Sequence, residues 1–326
     1  MSFSRRRLLQ FGTAAAAFPT WPGSARADTF PSRIVKLEVG FPPGGGADAG
    51  ARIVANGLSD RWGQQVIVEN RGGAGGRIAL DALAHSPADG YTMLFAPGAP
   101  AISGLLYAGL SYDPVADFAP VSLVGTYPNL LVVPNSSPFA KLEDFIAYAK
   151  ANPGKISWAS PGIGSVPHLA GELFKRTAGI DITHVPYRGV AAGAMTDLLA
   201  GRLDAMFNTT GSLLQPVKSN QVRALAVTSA KRFALAPELP AAAEVVPGYE
   251  AVSWYALYVP THTPAEIVKK MNSDCVAMLN DAAVKQRYEP LGIVASGSSP
   301  EQLAAMNVAD VTHWAPIIKA ANIKGE

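Results

Sequence analysis

Two stretches of small residues carry the chemistry this sequence offers most plainly. Phe41-Pro42-Pro43-Gly44-Gly45-Gly46-Ala47-Asp48 lies between a strand-like run and a helix-like run. Glycines let a backbone approach a ligand closely and present N–H groups. The N-terminus of the following helix adds about half a positive charge. Such a loop suits an anion. Its spacing is neither G-x-G-x-x-G nor that of a phosphate loop ending in Lys-Ser/Thr. A tight strand-to-helix turn needs the same glycines, so the loop alone reads both ways. The second stretch is Ala159-Ser160-Pro161-Gly162-Ile163-Gly164-Ser165-Val166-Pro167-His168. It also follows a strand and opens a helix. Ser160 and Ser165 add hydroxyls to the backbone donors, although Ser165 also fits a helix cap. Two anion-suited loops in different parts of the chain say more than either alone, because together they can grip one carboxylate from two sides.

The charged and titratable candidates are fewer. His168 follows Ser165 by three residues and shares its helix face. A nucleophile–base pair is one reading and a structural histidine the favoured one. Gly162-Ile163-Gly164-Ser165-Val166 is not G-x-S-x-G, and no acid partner is marked. A carboxylate at Asp48 would repel an anion, so Asp48 reads as a helix cap or as the holder of a water. Arg77, after Gly75-Gly76, is the candidate for a charged contact with a ligand carboxylate, or else a solvated surface arginine. Arg188 reads as structural. Gly98, just past a third strand, and Asn208, at the end of Ala205-Met206-Phe207-Asn208, complete the binding candidates with Phe41, Pro43, Gly44 and Gly45. Phe41, Tyr127, Trp158 and Phe207 offer a stacking wall or belong to the core. The five histidines are scattered without H-E-x-x-H, and Cys275 is the single cysteine. Neither a metal nor a cofactor is expected, and Cys275 reads as a buried thiol with no disulfide partner.

Short β-like runs alternating with helical ones position these residues. Strands are expected at 34–41, 66–69, 92–96, 130–134, 156–159, 183–185, 205–208, 222–228 and 252–259. Helices are expected at 48–62, 78–85, 142–152, 166–178, 191–200, 212–219, 265–279, 282–288 and 301–321. Such alternation with Gly-rich connectors implies an α/β fold with parallel strands. Val121–Pro134 and Ala251–Pro260 are long extended runs at the two boundaries of the middle block. If both cross between lobes, residues 28–127 and 251–326 form one domain and 128–250 the other. A ligand cleft then lies between them.

The length of 326 residues fits about two domains. Hydrophobic residues make up 48% and charged residues 16%, which excludes a disordered chain. No apolar run reaches the roughly 18 residues of a spanning helix. Residues 1–27 read as an address: Ser4-Arg5-Arg6-Arg7-Leu8-Leu9-Gln10, a short apolar stretch, and Ala25-Arg26-Ala27 before a cut. The arginine pair indicates twin-arginine export to the periplasm. That segment carries four arginines and no acid, so the remainder holds 23 basic against 25 acidic side chains, a net charge of −2. No basic excess is left for nucleic acid, and a monomer is expected.

Taken together, these motifs resemble the extracytoplasmic solute receptors of tripartite tricarboxylate transporters, the Bug family. The resemblance covers nearly all of the exported chain. Its pieces are the Phe41–Arg52 stretch, Val68-Glu69-Asn70-Arg71-Gly72-Gly73-Ala74-Gly75-Gly76, Ala88-Asp89-Gly90-Tyr91-Thr92, Ala151-Asn152-Pro153-Gly154-Lys155, Ser160–Phe174 and Val185-Pro186-Tyr187-Arg188-Gly189. It implies a type II periplasmic-binding-protein fold whose two α/β lobes close by hinge motion on a small carboxylate, either a di- or tricarboxylate or an aromatic acid. It also implies transient contact with membrane transporter subunits. Carried over by motif, it implicates Phe41, Gly44, Gly45 and Asp48 in one lobe and Ser160, Gly162, Gly164 and Ser165 in the other. Two positions depart from the family pattern. Arg77 stands where a small or amidic residue is common, and Asn208 where Asp is common. Asn cannot offer an ammonium a negative partner, so the expected ligand is a carboxylate with no cationic amine near Asn208. A secreted hydrolase using Ser165 and His168, or a ligand sensor for a signalling partner, would use the same residues differently.

Overall fold

The structure is a computed structural model that describes residues 30–189 and 193–325. The twin-arginine segment and its cut after Ala27 lie outside the described residues. From Pro31 onward the chain is one compact unit.

Hydrophobic alternation builds the first strand. In β1 (Val35–Val39) the side chains of Val35, Leu37 and Val39 are buried while Lys36 is exposed. Glu38 is buried as well and is paired with Arg71 at 3.1 Å. Helix α1 (Gly46–Trp62) follows and buries Ala51, Val54 and Leu58. It stops at Gly63, whose left-handed backbone receives the chain end. Strands β2 (Val66–Asn70) and β3 (Thr92–Pro97) run parallel to β1 on either side, joined through α2 (Arg77–Ala84). This is the parallel arrangement the alternation implies.

Next comes β4, a single 17-residue strand from Phe118 to Pro134. It changes partners midway. Residues Phe118–Pro128 lie antiparallel to Val252–Pro260, the strand β9. Residues Asn129–Pro134 lie between β7 (Ala205–Thr209) and β8 (Val222–Val227), again antiparallel. Beyond β7 stand β5 (Ser157–Ser160) and β6 (Thr183–Pro186), both parallel. The order β2-β1-β3-β9-β4-β7-β5-β6 is thus one curled sheet with β4 common to both ends. The two antiparallel strands are the long extended runs seen in the sequence.

The helices fall close to their expected places: α4 (Leu142–Ala151), α5 (Val166–Ala178), α6 (Ala194–Leu199), α7 (Thr210–Lys218), α8 (Ala265–Leu279), α9 (Ala282–Tyr288) and α10 (Pro300–Ala320). Two short elements were not anticipated. They are α3 (Ile102–Leu106) and β10 (Val294–Ala295), which pairs with β4 at Gly125 and Thr126. Cys275 is fully buried on α8, and burial pushes its thiol up to about 12, as an inert structural thiol requires.

Candidate functional site

The loops at the strand ends face one another across a cleft. Gly46 opens α1, and a Cβ there would stand 2.7 Å from Thr209 Oγ1 and 3.2 Å from Gly211 Cα. Only glycine permits this approach. The Gly46 N–H donates to Ser212 Oγ at 3.1 Å, which ties the start of α1 to the start of α7. Gly75 makes a second close approach, with backbone φ +62° and a notional Cβ 2.6 Å from the Ile163 carbonyl oxygen. Pro42 lies against both Gly72 and Gly189. The turns after β1 and β2 therefore meet those after β5, β6 and β7, and the cleft is drawn closed.

Two of the spaces between these turns hold the candidates. One, of about 60 Å³, is lined by Phe41, Arg77, Gly98, Gly164, Ser165 and Asp310 among others. The other, of about 40 Å³, is lined by Phe41, Gly45, Ala47, Tyr127, Asn208 and Ser212 among others. Phe41, Pro97 and Val166 line both, so the two are neighbours. Ala47 lies in the first turn of α1, where an N–H has no intrahelical partner.

Several sequence candidates sit behind this lining. Pro43 and Gly44 are exposed, and neither lines these spaces. The Gly44 N–H donates to Asp48 at 3.0 Å. Asp48 is buried and also accepts from Arg52 Nε at 3.0 Å, Arg52 Nη2 at 2.9 Å and Asn70 Nδ2 at 3.0 Å. Burial works to raise its pKa, but these donors together hold it below the ordinary value. Gly45, not Asp48, occupies the cap position of α1. Asp48 thus fastens the loop from behind.

The second loop is fastened differently. Ser160 Oγ is 2.7 Å from His184 Nε2, and the Gly162 N–H reaches Ser160 Oγ at 3.3 Å. The Gly164 N–H donates to His168 Nδ1 at 3.0 Å. The His168 ring stacks on His184 with centroids 4.0 Å apart, and Trp158 lies 4.4 Å from His184. Burial, reinforced by His184 and Lys175, lowers the His168 pKa to about 2. Burial and Lys175 lower that of His184 to about 4. Both rings are neutral. Ser165 sits at the cap position of α5, yet its hydroxyl donates to the Gly162 carbonyl at 2.7 Å rather than into the helix. Ser165 and His168 therefore engage other partners, not each other. Of the aromatic residues considered for a stacking wall, Phe41 and Tyr127 line the cleft, whereas Trp158 and Phe207 pack edge-to-face in the core.

Arg77, Gly98 and Asn208 do reach the cleft. Asn208 Oδ1 accepts from its neighbour Thr209 N–H at 2.8 Å. Arg77 is half-buried, its guanidinium carbon 5.3 Å from the centroid of the Tyr107 ring. Its Nε is shielded from solvent and meets no acceptor. Sequence reasoning missed Tyr107, whose hydroxyl donates to the Ala74 carbonyl at 2.8 Å, and Asp310 on α10. Neither sits in a local motif, since tertiary packing alone brings both to the cleft. Among the described residues no group of His, Cys, Asp and Glu could hold a metal ion, and no helix is long and apolar enough to cross a membrane.

Comparison with known proteins agrees with this architecture. A Rhodopseudomonas palustris protein, Rpa4515, solved with adipate, superposes with a TM-score of 0.86 at 36% identity, covering 90% of this chain and 99% of that one. The periplasmic binding protein BugD gives 0.85 at 34% identity over 90% and 99% of the two chains. MatC from Rhodopseudomonas palustris, with bound malate, gives 0.81 at 30% identity over 89% and 100%. The fold is the two-lobed α/β fold of periplasmic binding proteins, as the motifs implied. Residues 50–323 match the family described as the tripartite tricarboxylate transporter family receptor, and the chain belongs to it.

Proposed function

We propose that this chain is a periplasmic receptor that closes on a small carboxylate and delivers it to a tripartite tricarboxylate-type transporter. One observation carries the reading. Turns from both ends of the curled sheet meet around a cleft that offers the first turn of α1, the Ser165 region and Asn208 to a ligand. The adipate and malate bound by two similar proteins support a carboxylate as that ligand. Residues 28–127 with 251–326 form one lobe and 128–250 the other. The partner change of β4 at Pro128 and Asn129 supports that division, with the hinge proposed in β4 and β9. The direct ligand contacts come from Phe41, Gly45, Gly98, Ser165 and Asn208. Pro43, Gly44, Asp48, Ser160, Gly162, Gly164 and His168 shape the loops that present them. A few charge-assisted hydrogen bonds, each about 1.5–3 kcal/mol, bring affinity into the micromolar range after ordering costs. The protein acts as an exported monomer, cut after Ala27, and performs no turnover. Residues 28–326 mixed with adipate or malate should melt at a higher temperature and return the ligand chemically unchanged by mass spectrometry. Absence of any shift across a carboxylate panel, or conversion of an ester to its acid, would overturn the receptor.

A further inference from the structure

We propose that Arg77 is the specificity-determining residue of the cleft: it reads an acidic group at the far end of the ligand, so the protein selects dianions with an apolar middle over monoanions. The inference rests on the receptor reading and adds the ligand's second end. A shielded guanidinium nitrogen without an acceptor is costly, because a charged donor loses its water and gains nothing. Arg77 Nε is in that position, and among the described residues Arg77 forms no ion pair. No acceptor for it stands among the described residues, and a ligand in this space can supply one. Tyr107 keeps the guanidinium in place, since its ring lies beside it and its hydroxyl is anchored on Ala74.

The other charge in the same space does not compete. Asp310 accepts from the Ala99 N–H at 3.0 Å and from Trp314 Nε1 at 3.1 Å, which engages both its oxygens. Leu80, Ile102, Leu106, Leu169 and Trp314 give the same space an apolar wall. This space and its neighbour share Phe41, Pro97 and Val166 in their linings. The neighbour is lined by Ala47, Asn208 and Ser212, with no cationic side chain among its lining residues. A ligand that reaches from one to the other carries one carboxylate at the α1 turn, methylene or ring carbon past Phe41, Pro97 and Val166, and a second anion on the planar donor fork of Arg77.

Adipate and hexanoate have equally long chains and differ in that second carboxylate, so they serve as the probe pair in calorimetry. Wild type should prefer adipate. Arg77→Gln should weaken adipate by about 10- to 100-fold, the worth of one charge-assisted contact, and hexanoate by less than about threefold. Arg77→Lys, which keeps the charge and loses the fork, should fall between. It also serves as the second measure if Arg77→Gln melts early. Equal losses for both probes, or a wild type that binds hexanoate as tightly as adipate, would overturn the role of Arg77 while leaving the receptor intact. If neither these probes nor any other carboxylate binds the wild type, the receptor reading falls and the inference falls with it.

Discussion

The two glycine-rich jaws of the cleft do the same geometric job by opposite chemistry. The turn after β1 is held by a charged carboxylate: Asp48 gathers Gly44, Arg52 and Asn70 near the surface. The turn after β5 is held by two neutral imidazoles in the interior, stacked on each other and backed by Trp158. Asp48 itself is buried, but its arginine partner is half exposed, so that ion pair loses strength to screening. A buried imidazole acts as a dry acceptor and is strong only while it stays unprotonated. The jaws should therefore fail under different insults, and each can be broken separately.

The largest expected effect comes from removing the buried brace. His168→Ala deletes a stacked ring from a packed interior and leaves the Gly164 N–H without its acceptor. Cavity and lost hydrogen bond together should cost about 2–4 kcal/mol, read as a lower midpoint in urea unfolding. Ligand affinity should fall as well, because Gly164 and Ser165 line the cleft. A change below about 1 kcal/mol would mean that the loop holds its own shape, and the contrast between the jaws would vanish.

Acid should find the same weakness. The pKa values of His168 and His184 lie near 2 and 4 in the fold against an ordinary 6.5. The unfolded chain therefore takes up protons that the native state refuses. The stability these rings contribute is complete above about pH 6.5 and is lost as pH falls toward 4 and then 2. Its slope approaches about 1.4 kcal/mol per pH unit for each ring. Asp48, held below its ordinary 3.8, behaves as a carboxylate and begins to matter only below about pH 4. Between pH 7 and pH 5 the unfolding midpoint should thus drop through the imidazoles, against the opposite pull of Glu38 and Asp310, whose carboxyl pKa values burial raises, and His168→Ala should flatten the drop. A midpoint that does not move across this range would show that the rings are open to water.

Much of this was legible before the fold was seen. The alternation at 34–41 and the helical runs at 48–62 and 166–178 place β1, α1 and α5 to within a few residues. The extended runs at 121–134 and 251–260 mark the strands that join the two ends of the sheet. The cleft chemistry was only half visible. Ser160, Gly162, Gly164 and Ser165 belong to one motif, but the brace behind it needs His184, which the parallel register places beside Trp158. Tyr107 was hidden because α3, at five residues, is too short to show a period. Asp310 stands more than 200 residues in sequence from the Ala99 N–H it meets, and no local pattern encodes such a meeting.

The smallest effect should fall on the outer jaw. In Asp48→Asn the shape is kept and the charge is lost. Arg52 is half exposed, so its ion pair with Asp48 is screened and contributes little. The cost arises from donors instead. Asp48 Oδ2 accepts from the Gly44 N–H and Oδ1 from Asn70 Nδ2. An asparagine has one oxygen, so whichever way its amide turns, an NH2 group faces a donor. Two hydrogen bonds are lost, one of them from the half-exposed Arg52, at about 1–2 kcal/mol in all, and the turn loosens where it meets Thr209 and Ser212. Between pH 7 and pH 5 this variant should track the wild type, because the imidazoles are untouched. Below about pH 4 it should lose less than the wild type, having no carboxylate left to protonate. A variant that instead flattened the drop between pH 7 and pH 5 would show that the two jaws titrate as one unit, through contacts such as that of Gly75 with Ile163, and that they do not fail independently.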